Sequence, residues 1–182
     1  GSVETITLAD RFGNSTFARL ILPSDAPRGE RIRGARLPLV ITSYTCDGFL
    51  MGGSGQDVPE HVLAGMGYAS LCVDTNVGNV RRSPAYKPAP ETSNQSTLDF
   101  FENAIAVLDK RGIIDPDRVV LSGFSGSASA TAYSLTKSRK VAAAIITTQT
   151  ALDPMDYYLS GLRSGQRWIF EEFRGLEQLL IR

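Results

Sequence analysis

Short apolar runs alternate with amphipathic or small-residue segments along most of the chain. Residues 4–8 and 16–22 alternate apolar and polar positions on either side of a polar stretch over 10–14 that contains Gly-Asn, and this pattern predicts a β-hairpin. Residues 37–44 and 68–74 are short, largely apolar runs instead. Such runs are typical of strands that are buried on both faces, as in a parallel sheet.

Two helices are predicted, one on each side of the run over 68–74. Residues 59–66 predict a modest helix, with Asp57 as its N-cap and Gly67 as its end. The strongest helix signal begins at Ser96, where apolar residues recur at three- and four-residue spacing, and Gly112 ends it. The segment before Ser96 contains three prolines and is expected to be an irregular loop.

The alternation continues to residue 147. A polar turn over 115–118 leads into a strand over 119–122, a sharp turn over 123–127 leads into a small-residue helix over 128–136, and another buried strand follows over 141–147. Strands and helices in close succession, joined by right-handed crossovers, predict a mostly parallel sheet with helices on both faces. The expected fold is therefore α/β, in one domain without internal repeats.

Composition and charge limit the kinds of molecule that this chain is expected to bind. With 42% apolar and 21% charged side chains among 182 residues, the chain has the composition of an ordinary globular domain. The 19 Lys and Arg residues balance 19 Asp and Glu residues, and no basic cluster stands out beyond Arg81-Arg82. Neither nucleic acid nor a membrane is therefore expected as the main partner. No apolar stretch approaches the ~18 to 20 residues that cross a bilayer.

Cysteine use and the glycine-rich segments give no sign of a metal or a cofactor. Cys46 and Cys72 have no metal-ligand partners at useful spacing, and two cysteines cannot form a disulfide scaffold in a chain of this size. A reducing compartment such as the bacterial cytoplasm is favoured, and a single bridge between the two stays open. The glycine-rich stretch over 52–55 lacks the Lys-Ser/Thr of a phosphate loop. Asp74 ends a strand but follows no Gly-x-Gly-x-x-Gly, so we expect no nucleotide cofactor.

The turn Gly123-Phe124-Ser125-Gly126-Ser127 carries the candidate chemistry. A nucleophile elbow places a serine on a strained turn between a strand and a helix, and the residues two positions before and after it must be small so that the backbones can pass closely. Gly123 and Ser127 meet this need, with a serine in place of the usual second glycine. The apolar strand before the turn and the Ala/Ser-rich helix after it favour Ser125 as a nucleophile. The alternative is a glycine-rich turn that only packs a helix on a sheet.

Two stretches resemble the prolyl oligopeptidase branch of the serine hydrolases. Residues 98–133 are similar to that family's approach to its catalytic serine, through the amphipathic helix, Gly112, Asp115-Pro116-Asp117-Arg118-Val119 and the Gly-x-Ser turn. Within the branch, residues 38–55 and the following Pro59-Glu60 resemble the lasso peptide isopeptidases. Many relatives have Tyr-Gly-Gly or His-Gly-Gly where this chain has Tyr44-Thr45-Cys46-Asp47-Gly48. The resemblance implies an α/β-hydrolase fold that begins with the β-hairpin.

The resemblance also implies an organisation for the chain. Residues 3–150 correspond to a recognisable catalytic core, and residues 153–182 are aromatic-rich helical pieces that form a cap or insertion, lining a pocket or only covering the sheet. Residues 1–182 then form a single incomplete α/β-hydrolase domain whose C-terminal part is missing. The expected partners are a peptide substrate, by resemblance a lasso peptide, together with the remainder of the catalytic domain and an N-terminal β-propeller.

Three residues are assigned to the candidate catalytic site. Ser125 attacks a carbonyl after losing its proton to a histidine, and the backbone N–H of Gly126, at the start of a helix, is the first donor to the oxyanion. By resemblance, the hydroxyl of Tyr44 is the second donor, and the alternative is an aromatic residue that caps the sheet edge.

The triad partners of Ser125 are expected from outside this chain. In α/β-hydrolases an acidic residue and then a histidine follow the serine, and no histidine follows Ser125. The single histidine, His61, precedes the serine on a predicted helix and is expected to be a structural or surface residue.

These features support one leading hypothesis and two alternatives. The leading one is a serine hydrolase that cleaves an amide through an acyl-enzyme, as an isopeptidase that opens the macrolactam ring of a lasso peptide. One alternative is a dipeptidyl or acylaminoacyl peptidase, or an esterase, with the same nucleophile. The other is a non-catalytic α/β-hydrolase-like binding or scaffolding segment.

Overall fold

A single mixed sheet organises the part of the chain that the computed structural model describes, residues 2–24, 36–46, 60–76 and 78–146. The strand order across the sheet is β1-β2-β4-β3-β5-β6. The strands are β1 (Val3–Ala9), β2 (Ser15–Ile21), β3 (Leu37–Tyr44), β4 (Ala69–Asp74), β5 (Ile114–Gly123) and β6 (Ala143–Ile146). The helices are α1 (Glu60–Gly65), α2 (Pro90–Lys110) and α3 (Gly126–Lys137).

The N-terminal hairpin is confirmed. β1 and β2 pair antiparallel along all seven residues, from Val3 opposite Ile21 to Ala9 opposite Ser15. The turn between them is held by Asp10, whose carboxylate accepts hydrogen bonds from the backbone N–H groups of Phe12 and Asn14. β2 then pairs antiparallel with β4, so the hairpin extends the parallel part of the sheet on one side.

The parallel part of the sheet is centred on β3, as the apolar runs predict. β3 pairs in parallel with β4 on one side and with β5 on the other, and β6 pairs in parallel with β5. Because β4 and β5 lie on opposite sides of β3, right-handed crossovers place α1 and α2 on opposite faces of the sheet. The predicted α/β-hydrolase fold is confirmed for the described residues.

The core lies mainly between the sheet and α2. The apolar face of this helix is fully buried, because its large side chains recur at helical spacing and all meet the same face of the sheet. The α2 residues in this core are Phe100, Phe101, Ala104, Ile105 and Leu108. α2 also packs against α3, and α1 packs against β4 and β2.

Two helix or strand starts and the burial of one strand differ from the sequence prediction. α2 begins at Pro90 rather than Ser96, since a proline in the first turn of a helix loses no hydrogen bond and the Thr92 hydroxyl accepts the backbone N–H of Ala89. β5 begins at Ile114 rather than Val119 and pairs irregularly with the start of β3. β6 is partly exposed rather than buried, because within the described residues it has a neighbouring strand on one side only.

Cys46 and Cys72 form a disulfide, with their Cα atoms 5.8 Å apart. The sequence favoured a reducing compartment but was compatible with a single disulfide, and the structure contains that disulfide. The disulfide joins the segment directly after β3 to the middle of β4. It therefore adds a covalent tie next to Tyr44, the last residue of β3.

Several predictions concern residues outside the described part of the chain. Asp57 as a helix cap, the glycine-rich stretch over 52–55 and the helical cap over 153–182 all fall there, and the extent of the domain over 1–182 stays a prediction. Within the described residues, none of the helices is both long enough and apolar enough to span a bilayer.

Candidate active site

Ser125 lies on a strained turn between the central sheet and a helix. β5 ends at Gly123 and α3 begins at Gly126, so only Phe124 and Ser125 connect them. Ser125 has φ 52° and ψ −126°, and in the described residues it is the one non-glycine residue with a positive φ. A non-glycine residue held in such a conformation costs about 1–3 kcal/mol and is typical of functional turns. The side chain is partly exposed rather than packed in the interior.

Gly123 allows α3 to pass close to the end of β5. A Cβ atom at this position would lie 2.5 Å from the Thr131 hydroxyl oxygen, 2.8 Å from the Thr131 Cβ and 2.9 Å from the Cα of Ala128. Real Cβ atoms essentially never have contacts shorter than 3.0 Å, and one of these three contacts is with a backbone atom. The small residue that the sequence pattern requires before the serine is therefore needed for packing.

Ser127 has a different role at the second small position. Its hydroxyl donates a hydrogen bond to the carbonyl of Phe124 at 2.8 Å and accepts one from the N–H of Phe124 at 2.9 Å. The side chain is buried. These two bonds fold the turn back on itself around Ser125, which a glycine could not do. The sequence showed a small residue here and gave no sign of this closure.

The start of α3 offers a donor beside Ser125. The N–H groups of Ser127 and Ala128 bind the carbonyls of Phe124 and Ser125. The N–H of Gly126, in the first turn, has no acceptor among the described residues, as expected where a helix begins. The positive end of the helix dipole adds to its attraction for a negative oxygen.

The Tyr44 ring lies beside this donor. A Cβ atom placed on Gly126 would be 3.6 Å from Cε2 of Tyr44, and the tyrosine is 51% exposed. The structure thus brings together all three residues that the sequence singled out, Ser125, Gly126 and Tyr44. Their catalytic roles stay predictions.

Backbone hydrogen bonds and the nearby disulfide hold the Tyr44 backbone in place. Its carbonyl accepts hydrogen bonds from the N–H groups of Thr75 and Asn76. The fully buried carboxylate of Asp74 accepts the N–H of Cys46 at 3.1 Å and that of Asn76 at 3.0 Å. Asp74 therefore connects the segments that follow β3 and β4, which sequence reasoning missed when it weighed Asp74 only as a ribose ligand.

A cavity of about 380 Å³ opens next to Tyr44 and Gly126. Its walls come from the ends of β3 and β4, the segment between β4 and α2, and the first turns of α2 and α3. Hydroxyl and amide groups line most of it, and Tyr86 and Phe100 supply aromatic surface. Arg82 is the one charged residue among the described residues that line it.

His61 and Glu60 lie on α1, outside the lining of this cavity. His61 is exposed, in agreement with the surface position expected for it. Glu60 is buried, and its burial raises the pKa of its carboxyl, while a long hydrogen bond from the Thr42 hydroxyl and the charge of Arg19 oppose the rise.

No group of three or more potential metal ligands occurs among the residues that the structure describes. The carboxylates at the sheet edge are instead engaged by protein groups, as Asp74 shows. The described site places the Ser125 side chain beside the N–H of Gly126 at the start of α3.

Sequence comparison identifies a curated relative. No family model matches the sequence. The chain is 38% identical over 151 residues to the lasso peptide isopeptidase AtxE2 of Asticcacaulis excentricus, an alignment that covers 79% of this chain and 21% of the relative. This chain thus spans about a fifth of the length of that protein.

Structural comparison gives the same protein and a wider set of hydrolases. The apo structure of the AtxE2 isopeptidase superposes with a TM-score of 0.69 at 34% identity, over 86% of this chain and 24% of that one. A variant of it with astexin3-dC4 bound gives a TM-score of 0.62, again at 34% identity, over 82% and 23%. A puromycin-hydrolysing peptidase of Mycobacterium tuberculosis, at 18% identity and a TM-score of 0.56 over 79% and 22%, shares the fold.

The resemblance inferred from the sequence is confirmed by these comparisons.

Proposed function

We propose that this α/β-hydrolase chain, similar to a lasso peptide isopeptidase, carries the nucleophile and the oxyanion donors of a serine isopeptidase that opens lasso peptide rings. The observation that carries the proposal is the backbone of Ser125, at φ 52° between β5 and α3, beside the N–H of Gly126, which has no acceptor in the part of the chain that the structure describes. A turn that only packed a helix on a sheet would have no need of a strained serine at this point.

The reaction divides into acylation and deacylation. The Ser125 hydroxyl gives its proton to a histidine base from outside the described residues, and its oxygen bonds to the carbonyl carbon of the amide. The N–H of Gly126 and the Tyr44 hydroxyl hold the negative oxygen that forms. The C–N bond then breaks, the amine leaves with the proton, and water hydrolyses the ester to release a carboxylate and restore Ser125.

A lasso ring is a suitable target for this chemistry. Its closing bond is an amide between a backbone amine and an Asp or Glu side chain, so hydrolysis uses the same acyl-enzyme and leaves the chain linear. The 38% identity to the AtxE2 isopeptidase favours this substrate over other amides.

Labelling with a fluorophosphonate tests the nucleophile. The full-length protein should be labelled on Ser125, and Ser125→Ala should abolish the label. Ser129→Ala is the matched control, because Ser129 lies one turn further along α3 and should leave the label unchanged. Undiminished labelling of Ser125→Ala would remove Ser125 as the nucleophile.

Mass spectrometry of a lasso peptide after incubation with the full-length protein tests the substrate. Ring opening adds the mass of one water to the intact peptide, whereas a general peptidase produces fragments. Tyr44→Phe should slow ring opening about 100-fold, the usual loss for one oxyanion donor. An unchanged rate in Tyr44→Phe would mean that the tyrosine only caps the edge of the sheet and is not an oxyanion donor.

A further inference from the structure

One positively charged side chain lines the cavity beside the candidate nucleophile. Arg82 is the one charged residue lining its described part, and no carboxylate of the described residues lies within ion-pair distance of its guanidinium. The other lining groups are neutral. An arginine without a carboxylate partner, beside neutral donors, is suited to bind an anion from outside.

The Arg82 guanidinium is held over an aromatic ring. Its Cζ lies 5.0 Å from the centroid of the Tyr86 ring. Tyr86 packs against Phe12, with ring centroids 5.6 Å apart, and its hydroxyl lies 3.3 Å from the Ser93 hydroxyl. This cation–π contact favours a position of the guanidinium over the face of the ring and uses none of its N–H groups as donors to a carboxylate, so they stay available to a ligand.

The backbone on both sides of Arg82 is also fixed. Arg81 forms a β-bridge with Ser15, through two backbone hydrogen bonds of 2.8 and 2.9 Å. The N–H of Ser83 donates to the side-chain oxygen of Asn14, which is fully buried in the hairpin turn. The β-hairpin thus positions Arg82 at the cavity.

The cavity contains a second donor, a buried hydroxyl to which the described residues offer no hydrogen-bond partner. Ser43 precedes Tyr44 on β3, lines the cavity and is only 4% exposed. Its hydroxyl has no hydrogen-bond partner among the described residues. A buried hydroxyl without a partner is costly, and a ligand oxygen in the cavity would remove that cost. The first turn of α3 also lines the cavity and favours negative charge.

We propose that this cavity is a subsite for a carboxylate carried by the substrate, and that Arg82 selects for it. The proposal rests on the proposed function, because Gly126 and Tyr44 line the same cavity and thereby place the carboxylate near the bond that is cleaved. The carboxylate belongs either to an Asp or Glu side chain or to a free C-terminus, since both present the same two oxygens.

Two matched fluorophosphonates test the subsite at the nucleophile. One ends in a carboxylate and the other in the neutral carboxamide of equal length, and each is reacted with the full-length protein. The carboxylate probe should label Ser125 about 10-fold faster than the carboxamide. In Arg82→Gln the two rates should become equal, and Arg82→Lys should keep part of the difference. Arg81→Gln is the control, because Arg81 does not line the cavity, and it should keep all of it.

Equal rates for the two probes in the unmodified protein, or a difference that survives in Arg82→Gln, would overturn the subsite. Failure of both probes to label Ser125 would overturn the proposed nucleophile instead. Calorimetry separates the two cases, because binding does not require catalysis. If the carboxylate is that of a side chain, an acetylated and amidated peptide with a central Glu should bind about 10-fold more tightly than its Gln counterpart, and Arg82→Gln should remove the difference.

A third peptide identifies the source of the carboxylate. It carries Gln with a free C-terminal acid. Tighter binding of this peptide than of its amidated form assigns the subsite to a C-terminus, and tighter binding of the Glu peptide assigns it to a side chain. Equal binding of all three peptides would contradict the proposal.

Discussion

Replacing Gly123 by alanine tests whether the close approach of α3 to β5 sets the geometry of the Ser125 turn. The added Cβ would meet three atoms at less than 3.0 Å: Thr131 Oγ1 at 2.5 Å, Thr131 Cβ at 2.8 Å and Ala128 Cα at 2.9 Å. Rotation of the Thr131 side chain could move only the first of these. The helix must therefore shift, and overpacking of this kind costs about 2–3 kcal/mol.

Hydrogen exchange followed by mass spectrometry measures this cost in the full-length protein. A loss of about 2 kcal/mol corresponds to roughly 30-fold faster exchange in peptides that cover β5 and α3. Adding Thr131→Ala removes the 2.5 Å contact and leaves the other two, so it should restore less than half of the protection. Gly65→Ala is the matched control, because nothing lies within 4 Å of its added Cβ, and it should leave exchange unchanged or slower.

A Gly123→Ala variant that stays within about 0.5 kcal/mol of the unmodified protein would refute this reasoning, because surface substitutions alone produce changes of that size. The same variant should lose fluorophosphonate labelling, since a shift of α3 moves the N–H of Gly126 away from the Ser125 hydroxyl.

Three further predictions concern the disulfide, Asp74 and Glu60. Cys46→Ala/Cys72→Ala should lower thermal stability by up to about 3.5 kcal/mol, the entropy of closing a loop of this length, and a reductant should lower the melting temperature of the unmodified protein but not of the variant. Asp74→Ala should cost about 3 kcal/mol in urea unfolding, because the N–H of Cys46 and the side-chain amide of Asn79 lose the carboxylate that accepts their hydrogen bonds. Asp117→Ala, at an exposed position of β5, is its control, and equal losses in the two variants would contradict the role of Asp74 as an acceptor. The folded-state pKa of Glu60 is raised by burial, so the stability it contributes is complete below its unfolded value of 4.5 and is lost as pH rises through the folded pKa. Glu60→Gln should therefore have a higher melting temperature than the unmodified protein near neutral pH and the same melting temperature in acid. A difference in melting temperature that does not change with pH would show that burial of Glu60 has no such effect.

Much of the fold could be predicted because it depends on local patterns. The spacing of apolar residues within a short segment indicates which face of a strand or helix is buried. Such patterns occur over 16–22, 37–44 and 68–74 and after Ser96. The boundaries were less accurate. α2 starts at Pro90 because a proline is tolerated in a first turn, although it excludes a helix almost everywhere else.

The sequence by itself determined that a small-residue turn joins a strand to a helix around Ser125, because steric limits at such a turn act on neighbouring positions. Only the tertiary structure decided what surrounds that serine. The disulfide between Cys46 and Cys72, the acceptor role of Asp74 and the placement of Arg82 by Asn14 all join residues far apart in the chain. Contacts of this kind follow from how strands are ordered in the sheet, and spacing along the chain carries no record of that order.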